Sequence, residues 1–237
     1  MTDLELALEK HKYVVEPGGK PQVNITAIAK LIDDGKSSAF AGAAVKITKA
    51  GGDYRAEWKE SGEQGTRVHG YFENFLLNKP INYRPGEEGF GKALVGFIEA
   101  EDPQLIIDPE FVVVSPRGYG GRGDLCARLV TRGRGIWDLK SGKRYAVEHT
   151  LQLALQRFAE LAVYDDAGMF VGTKPMPEVE VTGCFYANQD GTYDSERDLV
   201  EYPADEAAFE AAMNLLGAYN WTRTAEITKL RNAWRKK

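Results

Sequence analysis

The chain has little of what usually makes a site easy to read. Only two cysteines and three histidines occur in 237 residues. Cys126 and Cys184 lie far apart in sequence and form no metal-type pair. They read as core thiols of a reducing compartment, with a disulfide between them as the alternative. No apolar run is long and charge-free enough to span a membrane. The acidic start Met1-Thr2-Asp3-Leu4-Glu5-Leu6 lacks the basic-then-apolar plan of a secretory signal. The expectation is a cytoplasmic protein with no membrane partner. A GxxxxGK[ST] phosphate loop is missing, so no helicase motor is built in. Without internal repeats or low-complexity linkers, residues 1–237 are expected to form a single domain.

Positive charge is also scarce overall, with 30 basic against 35 acidic residues and a net charge of −5. That balance argues against a protein coated all over by nucleic acid. The distribution is uneven, however. From Arg117 to Arg144 there are eight cations (Arg117, Arg122, Arg128, Arg132, Arg134, Lys140, Lys143, Arg144) and two acids, Asp124 and Asp138. Such a segment would attract a phosphate-bearing partner, or would simply be a solvated basic hairpin.

Hydrophobic residues make up 43% of the chain and aromatics 11%, enough for a core. Residues 2–11 read as a short amphipathic helix, and residues 25–48, broken at Asp33-Asp34-Gly35, as two more. Residues 65–78 read as a helix with Val68, Phe72 and Phe75 in a stripe, closed by Pro80. The period then changes. Residues 104–115 read as one or two strands, and residues 124–131 as another, with Leu125, Ala127 and Leu129 on one side. Residues 135–140 form a third strand after the turn Arg132-Gly133-Arg134. Residues 148–164 read as a helix lined by Leu151, Leu155, Phe158 and Ala162. A strand over 179–187 and helices over 204–217 and 222–234 precede the tail Arg235-Lys236-Lys237. This order predicts an α/β fold: a mainly helical part over 1–100, a core over 101–190 and C-terminal helices over 191–237.

The chemistry concentrates in two strands. Asp124 begins one and Asp138-Leu139-Lys140 ends the next. Residues two apart in a strand share a face, so Asp138 and Lys140 point the same way while Leu139 enters the core. Neighbouring strands lie about 4.8 Å apart, so a carboxylate from each can hold one divalent cation. Hard oxygen ligands suit Mg²⁺ or Mn²⁺. Two carboxylates and a lysine are the minimum set for metal-assisted phosphodiester hydrolysis, with the lysine stabilising developing negative charge. An Asp-x-Lys triplet alone reads as a surface ion pair. Here it follows a hairpin headed by Gly121-Arg122-Gly123-Asp124 and precedes Ser141-Gly142 and a helix, a much rarer arrangement. The glycines of RGYGGRGD lead into DLCARLV, which alternates like a strand and not a helix, and this argues against a dinucleotide cradle. They read as a tight turn bringing Asp124 to Asp138.

Gln152 and Gln156, spaced i, i+4 opposite the leucine stripe, face the strand of Lys140 or are ordinary polar surface. His69 stands beside the apolar stripe of its helix, as a ligand or as a hydrogen-bonded histidine at the core's edge. His149, one turn before Gln152, approaches the phosphate path or is a solvated or capping residue. His11 carries no role. Tyr119 is the aromatic chosen for base stacking, whereas Trp58, Trp137, Trp221 and Trp234 read as core or interface anchors.

The segments GGRGD (120–124), DLKSG (138–142) and QLALQ (152–156), with GTRVH (65–69) upstream, resemble the RecB-like branch of the PD-(D/E)XK nucleases. That branch includes phage-type exonucleases related to the CRISPR adaptation nucleases. Its pattern is Gly-Thr-x-x-His at a helix start, Gly-x-x-Asp, Asp-x-Lys-Ser/Thr-Gly, then Gln-Leu-x-x-Tyr. The likeness runs over roughly residues 21–164. It implies a restriction-endonuclease-like core, a mixed central sheet flanked by helices, with an N-terminal helical portion. It further implies a Mg²⁺- or Mn²⁺-dependent DNA exonuclease acting on single strands or DNA ends. Recombination, repair or phage DNA metabolism would be its setting, in a bacterial or phage-infected cell. A recombinase, an annealing protein or a helicase would be the further partner.

Carried over, Asp124, Asp138 and His69 are metal ligands, with the Leu139 carbonyl as a fourth. Lys140 is the catalytic lysine, and Gln152 touches the DNA backbone or orients the site. Glu110 corresponds to a family glutamate. Arg122, Tyr119, Lys143, Arg144, His149 and Gln156 are the DNA-binding candidates. Two departures stand out: Gln156 replaces the usual tyrosine, and two cysteines in place of four predict no iron–sulfur cluster. A structure-specific endonuclease of the same fold, and an inert DNA-end-binding recombination accessory protein, are the competing readings.

Overall fold

Local capping rules place the first helices. In the computed structural model, which describes residues 2–32, 36–225 and 227–229, helix α1 (Asp3–Lys10) opens with a capping box. The Thr2 hydroxyl accepts the Glu5 N–H at 3.1 Å, and the Glu5 carboxylate accepts the Thr2 N–H at 2.7 Å. A two-residue strand β1 (Val23–Asn24) leads into α2 (Ile25–Ala29), capped by the Asn24 side chain on the Thr26 N–H. Helices α3 (Lys36–Lys49), α4 (Tyr54–Leu76) and α5 (Glu88–Glu101) follow.

Helix α4 starts eleven residues before the expected position 65. Asp53 caps it by accepting the Arg55 N–H at 2.9 Å, so Gly65 and Thr66 lie mid-helix, not at a helix start. The sequence reading passed over α5, whose Phe90, Leu94 and Phe97 are all buried.

The strands are β2 (Gln104–Ile107), β3 (Phe111–Ser115), β4 (Tyr119–Gly123), β5 (Leu125–Leu129) and β6 (Gly133–Lys140). Helix α6 (Ala146–Arg157) separates them from β7 (Glu160–Tyr164), β8 (Phe170–Pro175) and β9 (Val181–Tyr186). A short α7 (Ser195–Asp198), β10 (Leu199–Glu201) and α8 (Glu206–Trp221) complete the described elements. The expected helix over 222–234 falls partly on residues 226 and 230–234, and the tail 235–237 wholly, outside the described residues.

These strands build two mixed five-stranded sheets, not the one central sheet expected: β1-β4-β3-β7-β8 and β10-β9-β6-β5-β2. The first is parallel only at β1·β4 and the second only at β6·β9. Among the described strands the chain passes between them five times, and two of these passages matter for the site. It leaves the second sheet after β2 and re-enters it at β5, so residues 108–110 and Asp124 mark these two crossings. They meet: the Glu110 N–H donates to the Asp124 carbonyl at 3.1 Å.

The glycine run is a buried strand, β4, rather than a tight turn. A Cβ at Gly120, Gly121 or Gly123 would fall 2.4, 2.4 or 2.2 Å from Tyr13, Ile25 or Phe111, so glycine lets these side chains lie on the strand itself. The helix expected over 148–164 stops at Arg157. Glu160–Tyr164 instead runs between β3 and β8, pairing Val113 with Leu161 and Ala162 with Thr173, a tertiary preference that overrides helical spacing.

Along β5 the alternation holds: Leu125, Ala127 and Leu129 join Leu139 in the cluster under α4 and α5, while Cys126 faces the cluster containing α6 and α8 residues. Both cysteines are free and buried. No described helix is long and apolar enough to cross a membrane.

Candidate metal centre

The two crossings and one helix turn converge on a cluster. His69 from α4, Glu110 before β3 and Asp124 before β5 each offer a ligand atom, all within 4.8 Å of one another. His69 Nδ1 lies 3.2 Å from Asp124 Oδ1, and the Leu139 N–H donates to Asp124 Oδ2 at 2.6 Å. Glu110 has a left-handed backbone, φ 61°. Its carboxylate pairs with Arg122 Nε at 2.5 Å.

Beside this cluster sits a second group. Because Leu139 points into the core, Asp138 and Lys140 emerge on the α6 side, and their side chains form an ion pair. Gln152 bridges them: Lys140 Nζ donates to Gln152 Oε1 at 3.2 Å, and Gln152 Nε2 donates to Asp138 Oδ1 at 2.8 Å. Gln156 Nε2 donates to the Arg122 carbonyl at 2.9 Å and to Asp138 Oδ1 at 3.4 Å. Asp124 thus belongs to the ligand cluster, while Asp138, in the same cleft, is bonded to lysine and two glutamines.

The electrostatics follow from this crowding. Burial pushes the Glu110 carboxyl up to about 8, reinforced by the negative charge of Asp124. Asp138 is raised as well, by burial first, although Lys140 opposes it. Burial would raise Asp124 too, but His69 and Lys140 more than offset it and hold its carboxyl low. Burial likewise disfavours charge on His69 and Lys140, yet Asp124 and Asp138 respectively raise both above their ordinary values. One imidazole and two or three crowded carboxyls, which repel one another until a cation neutralises them, form a donor set that fits a divalent cation.

These groups line one cleft of about 880 Å³, together with Lys30, Phe40, Thr66, Glu73 and Lys143. Several expected DNA contacts are elsewhere. Tyr119 is 0% exposed and meets Phe209 edge-on at 6.4 Å, so it cannot stack on a base. Gln156 is equally inaccessible and acts on Asp138 from within. His149 does line the cleft, but it is buried, with Nδ1 held 2.8 Å from the Tyr186 hydroxyl. Arg144 lies outside the cleft, over the Tyr186 ring at 4.7 Å and bonded to the Arg197 carbonyl. Arg122 faces the cleft but is committed to Glu110, leaving Lys143 as the exposed cation of the expected set that lines the cleft.

Residue spacing alone did not find Glu110. Its position depends on a chain crossing that leaves no periodic mark. His11, set aside in the sequence, also lines the cleft. No protein-family model matches the chain, and no curated protein matches it either.

Proposed function

We propose that the chain is a divalent-metal-dependent DNA nuclease with a restriction-endonuclease-like core of the RecB-like PD-(D/E)XK type, working as an exonuclease on single strands or DNA ends. The observation that carries this reading is the convergence of His69, Glu110, Asp124, Asp138 and Lys140, from separate stretches of sequence, on one open cleft. A structural ion-pair network has no need of an open cleft with crowded carboxyls and an imidazole at its floor.

His69, Glu110 and Asp124 would hold the cation, with the Leu139 N–H fixing the orientation of Asp124. When bound, Mg²⁺ or Mn²⁺ supplies charge neutralisation at the phosphodiester and activation of the attacking water. Lys140 is kept protonated by Asp138 and delivers positive charge to the developing phosphorane oxygens. Gln152 bonds to both members of the Lys140–Asp138 pair and holds them at the cleft.

The test uses end-labelled single- and double-stranded DNA with the purified protein in Mn²⁺, Mg²⁺ or EDTA. We expect metal-dependent degradation from ends, abolished in Asp124→Asn and reduced about 100-fold in Lys140→Ala, with closed circular single strands spared. Cleavage by Asp124→Asn at the wild-type rate would overturn the site. Degradation of circles would favour the endonuclease reading.

A further inference from the structure

We propose that Phe40, Tyr54 and Trp58, on the hairpin of α3 and α4, form a stacking platform for a single strand of nucleic acid, which the face of α4 then leads to His69. The inference rests on the nuclease reading and names the part of the substrate that is held away from the reacting phosphate.

The rings are placed as a surface, not as a core. Trp58 lies 5.4 Å from Phe40 and 4.9 Å from Tyr54, centroid to centroid. Phe40 is 45% exposed and Trp58 38%. Between residues 37 and 49 no residue of α3 is buried. Exposed aromatic clusters of this kind mark a surface that another molecule covers. Phe40 lines the same cleft as His69 and Asp124, so the platform is continuous with the candidate centre.

Helical geometry supplies the path. Trp58 and His69 are eleven positions apart, which at 100° per residue returns them to one face, about 16 Å apart along the axis. Gly62 and Gly65 lie between them on that face. Glycine weakens a helix relative to alanine, and packing does not require it here. A Cβ at Gly62 would meet nothing within 4 Å, and one at Gly65 only the Ser141 hydroxyl at 3.5 Å. The helix floor is left bare where a chain would have to lie between ring and metal centre.

Charge selects the occupant. Helix α3 contains no acidic residue, and its Lys46 and Lys49 are exposed. The Arg55 guanidinium sits 5.7 Å from the centre of the Tyr54 ring, and Lys30 and Lys143 line the cleft below. Beside the rings α4 and its cap also carry Asp53, Glu57, Glu60 and Glu63, of which Glu60 pairs with Arg67 and Arg84 and Glu63 with Lys59; Arg55 at Tyr54 and the cleft lysines then match a polyanion with exposed π-faces. A single strand has such faces free, whereas a duplex has already stacked them.

The test is anisotropy with a labelled oligothymidylate of about 12 nucleotides, a length within the usual site sizes, in EDTA so that nothing is cut. Wild type should bind it, and Trp58→Ala and Phe40→Ala should each weaken binding roughly tenfold. Trp58→Tyr keeps a ring and should retain most of the affinity, unlike Trp58→Leu. Gly62→Leu should bind weakly while melting at or above the wild-type temperature, which separates obstruction from unfolding. Equal binding by all variants, alongside metal-dependent cleavage by wild type, would overturn the platform and leave the nuclease reading intact. Neither binding nor cleavage by wild type would overturn both. A concentration-dependent dimer dissolved by Trp58→Ala, with oligonucleotide binding unchanged, would assign the rings to self-association and overturn the platform.

Discussion

Glu110 reaches the cleft from a left-handed residue at the crossing of two sheets, and burial beside Asp124 pushes its carboxyl up to about 8 from an ordinary 4.5. A raised carboxyl pKa means that the folded chain keeps a proton the unfolded chain releases. Its contribution to stability is complete below pH 4.5 and is lost as the pH climbs through 8. His69, also raised, adds a loss of the same sign above its ordinary 6.5. In EDTA the melting temperature should therefore fall between about pH 5 and pH 8. Glu110→Gln should flatten part of that fall, and Mn²⁺ should restore the wild type at pH 8 but not the variant. A variant with the wild-type slope would show that Glu110 does not titrate there. At this scale the sequence was most readable where backbone period alone decides direction. Asp138, Leu139 and Lys140 alternate as expected, but whether Tyr119 or Gln156 meets solvent depends on α8 and β4, elements remote in sequence.

Among the elements, β4 and β7 were misread for opposite reasons. Glycines in β4 resemble a turn because nothing in their own chemistry favours a strand. They are strand residues because Tyr13, Ile25 and Phe111 occupy the space a Cβ would need. Residues 160–164 continue the apolar spacing of α6, yet their backbone completes the ladders with β3 and β8. The reading held for α1, α2, α3, β5, β6 and β9, where caps, glycine breaks or strict alternation act locally. Since β4 leads straight into Asp124, its packing has a consequence for the site. Gly121→Ala would drive a methyl into the Ile25 side chain, a neighbour that is itself 2% exposed. We expect a loss of about 1–3 kcal/mol in denaturant unfolding, and weaker Mn²⁺ binding as Asp124 shifts. Unchanged stability would mean that α2 can move off the strand, and that β4 does not fix Asp124.

For the whole molecule, the crossings explain why a cleft exists at all. Two sheets joined at Glu110 and Asp124 leave their carboxyls at the junction, with α4 on one side and α6 on the other. Charge is arranged by the fold in a way that the linear count of eight cations did not convey. Arg117, Arg122, Arg132, Lys140 and Arg144 are paired with Glu210, Glu110, Glu201, Asp138 and Asp198. The basic segment is thus largely neutralised internally and does not form a basic face. Lys30 and Lys143 line the cleft, and Lys46, Lys49 and Arg55 belong to α3 and α4, so at most these five meet a strand that enters over the helical hairpin. Each phosphate contact on a single strand contributes about −0.7 to the slope of log K against log salt, so five contacts set a limit of about −3.5. Titration of the oligothymidylate in EDTA at several salt concentrations measures that slope. A value at or shallower than the limit fits entry over α3 and α4. With all eight cations of residues 117–144 engaged, the slope would approach about −5.6, which would require their ion pairs to open on binding and would move the nucleic acid away from the helical hairpin.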